Sequence, residues 1–199
     1  MRANVLFVVI AVVAIGFLNN CNREMGGSGN PYIAPIAGDS VVMPVNYLNY
    51  WVYDVSEMVD TVLMDTSITI QLDSVKHINN TDWYYDPWIG GYIHNYSSGI
   101  WVLLGISPAD STVYLRYPVV AGQRWYSYGD STICTSTTDT ARLGSAVYYD
   151  CVRYRTYSNG RYFDQVFKPG IGMLSFETDT TNTSIYHYEI LTLQSYRLY

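Results

Sequence analysis

Asn159-Gly160 is the dipeptide that most restricts how this chain folds. A two-residue type I′ turn needs positive φ at both central positions, and Asn-Gly tolerates that well. The turn fixes the register around it. Ser158 then faces Arg161, Tyr157 faces Tyr162, Arg155 faces Asp164 and Val152 faces Phe167. Two aromatics, an opposite-charge pair and an aliphatic–aromatic pair are each worth roughly 0.2–1 kcal/mol across an antiparallel ladder. Period two places Val152, Tyr154, Phe163 and Phe167 on one face, the expected core face, and Arg153, Arg155, Asp164 and Lys168 on the other. Cys151 and Val166 fall among the charges, which calls for a bulge or a second layer over part of that face. Pro169-Gly170 sets the next turn and Met173–Glu177 the next strand.

The rest of the chain carries the same kind of signal. Tyr50–Val55 alternates, with Trp51, Tyr53 and Val55 on one side. Ser67–Asp73 alternates most cleanly, with Ile68, Ile70 and Leu72 inward. Asn79–Asp82 reads as a turn and Trp83–Tyr85 as a short strand stopped by Pro87. Tyr92–Tyr96 and Ile100–Ile106 flank a hairpin turn. Val113–Tyr117, Trp125–Tyr128, Ser131–Thr137 and a long last strand, Ile185–Leu198, follow. Beyond the first segment no stretch holds a 3.6-residue apolar period over three turns. The chain has 199 residues, 21 of them Tyr, with 14% charged residues and a net charge of −6. That composition favours one all-β domain over disorder and argues against a nucleic-acid partner, which needs a basic footprint.

The N-terminus reads differently. Arg2 precedes an apolar run, Val5–Phe17, which is short of the about 20 residues that span a bilayer but suits a signal peptide. It ends Leu18-Asn19-Asn20-Cys21 and resembles a bacterial lipoprotein signal, in which cleavage precedes a lipid-bearing Cys. Asn20 departs from the small residue usual there. Residues 1–20 are thus expected to be removed, Cys21 to carry lipid, residues 21–40 (with Gly26-Gly27-Ser28-Gly29) to form a tether, and residues 41–199 to form the folded domain.

Pro44-Val45 precedes Trp51 at the same spacing as Pro118-Val119 precedes Trp125, so each Trp is expected to open a strand. Pro44–Tyr53, Tyr117–Trp125 and Tyr162–Glu177, with Lys168-Pro-Gly-Ile-Gly172, resemble a group of uncharacterised bacterial envelope lipoproteins. In that group Gly-x-x-Trp-x-Tyr recurs early and Tyr-x-x-Pro-Gly-Val-Gly late. Leu48 stands here at the early Gly position. The resemblance implies an all-β fold with a strongly curved antiparallel sheet, half-barrel or barrel-like; a sandwich is the alternative that strand spacing also allows. It carries no activity with it.

Catalytic signals are sparse. His77, His94 and His187 lack metal-ligand spacing, so no metal or cofactor is expected. No serine sits in a Gly-x-Ser-x-Gly context. Carboxylates are numerous enough for a glycosidase pair, but most sit at strand ends or turns, where capping and solvated roles are commoner. Cys134 and Cys151 are a candidate disulfide in an oxidising compartment once Cys21 is lipidated. The stretch Trp83–Tyr92 is the candidate binding surface: Trp83, Tyr84, Tyr85, Trp88 and Tyr92 offer apolar rings with polar tips, suited to a glycan or an envelope protein. The competing reading makes this stretch core. The chain therefore reads as a lipid-anchored protein of the bacterial cell envelope, preferentially the outer membrane, with its domain in the periplasm or at the cell surface. Its role reads as binding or assembly rather than catalysis. A carrier of an acyl chain or other apolar ligand and a carbohydrate-active hydrolase are the alternatives.

Overall fold

The computed structural model describes residues 41–59, 61–105, 107–127, 129–179 and 187–199. The chain divides into two units, Met1–Ala34 and Pro35–Tyr199, and every described residue belongs to the second. The expected signal segment, Cys21 and the tether lie outside the described residues, as does the start of the last expected strand before His187.

Thirteen strands occur among the described residues: β1 (Tyr50–Val59), β2 (Val62–Gln71), β3 (Val75–Ile78), β4 (Thr81–Asp86), β5 (Gly91–Tyr96), β6 (Gly99–Leu103), β7 (Ser111–Arg116), β8 (Arg124–Ser127), β9 (Asp130–Leu143), β10 (Ala146–Ser158), β11 (Arg161–Lys168), β12 (Gly172–Asp179) and β13 (His187–Arg197). They form an eight-stranded sheet in the order β2-β1-β13-β12-β11-β10-β9-β8 and a five-stranded sheet in the order β3-β4-β5-β6-β7. All pairings are antiparallel. Neither sheet closes on itself or curls strongly. The architecture is sandwich-like, and the expected half-barrel or barrel-like curvature finds no confirmation in it. Core residues come from both sheets: Trp51, Tyr53, Tyr154, Phe167 and Leu191 from the larger, Ile93, Ile100, Val102 and Leu115 from the smaller. Full burial of such side chains is worth about 1.5–3 kcal/mol each.

The central hairpin has the register its turn dictates. Asn159 and Gly160 lie at φ 51° and 76°. Ser158 pairs with Arg161, Tyr157 with Tyr162, Arg155 with Asp164 and Val152 with Phe167. Arg155 donates twice to Asp164, both bonds at 2.7 Å, and its guanidinium lies 4.1 Å from the centroid of the Tyr162 ring. The hydrogen bonds to Asp164 raise the Arg155 pKa beyond its usual high value. Val152 and Tyr154 face the core. Cys151 is buried beside register shifts on both sides, next to Asp150 at φ 54°, so the bulge expected there is present. A second shift at Val166/Phe167 accompanies the burial of Val166.

The expected Cys134–Cys151 disulfide is absent, and both cysteines are free, buried thiols. The bulged ladder explains why. Cys134 pairs with Tyr154 on the core face, whereas Cys151 shares the parity of Arg153 on the other. Three residues of strand, roughly 10 Å, also separate Cys151 from the point opposite Cys134, beyond the Cα separation a disulfide spans. Each sulfur instead donates to a carbonyl of its own segment: Cys134 to Ser136 and Cys151 to Tyr148, both at 3.4 Å.

Two stretches sequence reading left out are strands. Val62–Thr66 extends β2 toward the β1–β2 connection, where it is exposed on both faces and so shows no alternation. Val75–Ile78 pairs with β4 across Asn79-Asn80, both at positive φ. The Trp echo holds structurally: Trp51 lies in β1 and Trp125 in β8, both buried. Each indole N–H donates to a carbonyl, of Ile171 at 2.7 Å and Tyr114 at 3.1 Å.

Candidate functional site: the aromatic faces of the smaller sheet

The aromatic stretch from Trp83 to Tyr92 divides by strand parity. Tyr84 pairs with Val75 and Ile93, and Ile93 with Val102; this row faces the core. Trp83 pairs with Lys76, Tyr85 with Tyr92, Tyr92 with Leu103 and His94 with Trp101; this row faces away. The five candidate residues therefore fall on two sides. Trp83 joins His94, Tyr96 and Trp101 in one ring cluster and Tyr85 and Tyr92 form a separate edge-to-face pair, while Tyr84, Trp88 and Trp101 also pack against the core.

On the inward side, Asp86 makes the turn. Its Oδ1 accepts the backbone N–H of Trp88 at 2.8 Å and of Ile89 at 3.1 Å, an Asx-type turn that folds both side chains inward. Trp88 meets Phe176 of the larger sheet edge to face, with centroids 5.3 Å apart. Asp86, Trp88 and Ile89 line an interior cavity of about 20 Å³ together with Tyr53, Tyr114 and Gln165. That volume suits about one water molecule and is far below the roughly 300 Å³ and upward of small-molecule sites, so this cavity houses no acyl chain. Asp86 is the one buried carboxylate among the described residues, and desolvation pushes its pKa up to about 6. Burial likewise raises Tyr53 and takes Tyr114 to about 12. Tyr53 donates to the Met173 carbonyl at 3.0 Å, and Gln165 Nε2 donates to the Tyr114 hydroxyl at 3.2 Å.

The outward side is built differently. Trp83 is fully buried yet stands outside the main core, under rings of its own face. Its ring centroid lies 5.5 Å from His94 and 6.1 Å from Tyr96; Tyr96 also meets Trp101 edge to face at 5.7 Å. Tyr85 and Tyr92 pack edge to face at 5.5 Å, and the Lys76 ammonium sits 5.6 Å from the Tyr92 centroid. Trp101 donates to Ser98 Oγ at 3.0 Å, and His94 Nδ1 donates to the Asp82 carbonyl at 2.9 Å. The Trp83 indole N–H has no hydrogen-bond partner among the described residues. Tyr96 is exposed; Tyr85, Tyr92, His94 and Trp101 are half-buried. His94, Tyr96 and Trp101 were not read as site residues. Their alternation across the 97–98 turn was the available signal.

Chemically this face offers ring edges and faces, one ammonium, imidazoles and phenol hydroxyls. His77 bonds Asp82 at 2.7 Å in the open. Among the described residues no group of three or more His, Cys, Asp or Glu side chains is placed to hold a metal ion. No helix among them is long and apolar enough to cross a membrane.

No family model and no curated protein matches the chain. Two crystal structures are similar in part. One is a candidate exported protein with a YmcC-like fold from Bacteroides fragilis NCTC 9343, with 12% identity and a TM-score of 0.39, covering 78% of this chain and 100% of its own. The other is a candidate lipoprotein from Parabacteroides distasonis ATCC 8503, with 12% identity and a TM-score of 0.40, covering 78% of this chain and 99% of its own. Likenesses this distant carry no argument about fold or function.

Proposed function

We propose that this chain is a lipid-anchored envelope protein, held to a membrane through Cys21, whose domain binds a saccharide and performs no chemistry on it. The observation that carries the binding reading is the outward-facing aromatic set. A sandwich needs apolar side chains between its sheets, but Tyr85, Tyr92, His94 and Tyr96 lie on the face away from that interior. Rings with polar tips suit the C–H faces and hydroxyls of a sugar. A protein-binding hot spot is usually a more apolar, densely packed centre.

Anchoring rests on the Val5–Phe17 apolar run followed by Leu18 and Cys21. Intact mass of the membrane-extracted chain tests it. The expected mass lacks residues 1–20 and includes acyl groups on Cys21, more than one because a single chain binds only marginally. Unmodified Cys21 contradicts the anchor. Binding is tested separately by passing the purified chain over a panel of immobilised oligosaccharides. Retention on at least one is expected. Failure on all of them, or hydrolysis of any, contradicts this reading.

A further inference from the structure

The two sheets present four edge strands, and three are protected against pairing with another chain. β8 and β3 have only four residues each, and carry Arg124 and Lys76. β7 is broken by a bulge at Tyr114 and ends on Arg116. Short length, bulges and basic side chains are the usual defences of an exposed edge. β2 has none of them. It runs ten residues, pairs with β1 along its whole length without a register shift, and contains no Pro, Lys or Arg. Its one charge, Asp65, accepts a hydrogen bond from Ser56 at 2.7 Å. Val62, Leu63 and Met64 are 59%, 62% and 44% exposed.

We infer that β2 is an interaction surface whose partner is a second copy of this chain, paired antiparallel, edge to edge, about a two-fold axis at Thr66. Two identical edges form an isologous contact that closes on itself. Keeping each sheet's core-facing residues on one side allows only registers centred on a residue, because a one-residue slip moves every side chain to the other face. Centring on Asp65 sets two carboxylates opposite each other, a destabilising pair. Centring on Ser67 sets Thr66 against Ile68. Centring on Thr66 sets Val62 against Ile70 of the partner subunit, Met64 against Ile68 of the partner subunit, and Thr66 against its own equivalent. Asp65 then meets a serine. The apolar inner row continues across the joint, covering Val62 and Met64. This inference is independent of the lipid anchor and of the saccharide site.

The test uses the full chain in mild detergent, measured by light scattering with the detergent contribution removed. Two chains per particle are expected for the wild type and one for Met64→Lys, whose position is exposed enough to accept a Lys without unfolding. Under mild oxidation Thr66→Cys should form a covalent dimer, while the wild type, which keeps the native cysteines, should not. A single chain per particle for the wild type at tens of micromolar overturns the inference. So does a dimer that persists in Met64→Lys, or a dimer in which Thr66→Cys fails to cross-link.

Discussion

Burial at Asp86 has a thermodynamic consequence. Its pKa is about 6 in the folded chain against 3.8 for the free group. Between those values the folded state holds more protons than the unfolded state, so stability falls as pH rises from about 4 to about 6. The stabilisation is complete below about 4 and lost above about 6. The difference corresponds to about 3 kcal/mol. Asp86→Asn keeps an oxygen for the N–H groups of Trp88 and Ile89 but removes the titration. Chemical denaturation across this pH range should show the slope in the wild type and a flat profile in the variant; equal slopes contradict the assignment. Leu48 is a second strained point, at φ 66°. Left-handed backbone costs a side-chain-bearing residue roughly 1–2 kcal/mol. Glycine recovers most of that and loses roughly 0.5–1 kcal/mol to unfolded-state entropy. Leu48→Gly should therefore leave the midpoint of thermal unfolding unchanged or raise it, with a gain of up to about 1 kcal/mol. A clear drop means that the packing of Leu48 outweighs its backbone.

At the scale of elements, the start of β1 meets the turn between β11 and β12. The Trp51 indole donates to the Ile171 carbonyl and the Tyr53 hydroxyl to that of Met173. A Cβ on Gly172 would meet Trp51 Nε1 at 2.9 Å, and Gly172 itself lies at φ 119°, so Gly is required there twice over. Trp51-x-Tyr53 and Pro169–Gly172 are therefore a clasp that joins β1 to the β11–β12 turn. In the central hairpin, Gly160 sits at φ 76°. Gly160→Val puts a β-branched residue into left-handed backbone and should destabilise by about 1–3 kcal/mol; denaturant unfolding reads this as a lower midpoint with an unchanged m-value. No loss of stability means the turn adopts another form. The hairpin was legible in sequence because Asn159-Gly160 fixes register locally. Val62–Thr66 was not, because a strand exposed on both faces has no alternation to read. The Cys134–Cys151 pairing failed for a related reason: bulges beside Asp150 change both register and face, and spacing along the chain does not reveal them. The candidate site was half legible. Composition located the aromatic stretch, but β4 parity, which separates Trp83, Tyr85 and Tyr92 from Tyr84 and Trp88, needed the β4–β5 register.

Across the whole molecule, the aromatic residues do two separate jobs. One set fills the space between the sheets, where Trp88 meets Phe176 and Trp125 meets Tyr154, both edge to face. The other set, Tyr85, Tyr92, His94 and Tyr96, faces away from that interior on the smaller sheet and stands outside the main core. Stability and binding should then respond to different substitutions, and the saccharide-binding account depends on that separation. The most direct test compares Trp88→Ala with the double variant Tyr85→Ala/Tyr92→Ala, each followed by thermal unfolding and by retention on whichever immobilised oligosaccharide holds the wild type. The account predicts that Trp88→Ala loses roughly 3 kcal/mol of stability, as large-to-small core changes do. It predicts that the double variant unfolds within a few degrees of the wild type yet is no longer retained. A double variant that is retained as well as the wild type, or that loses retention only because it has unfolded, contradicts the account.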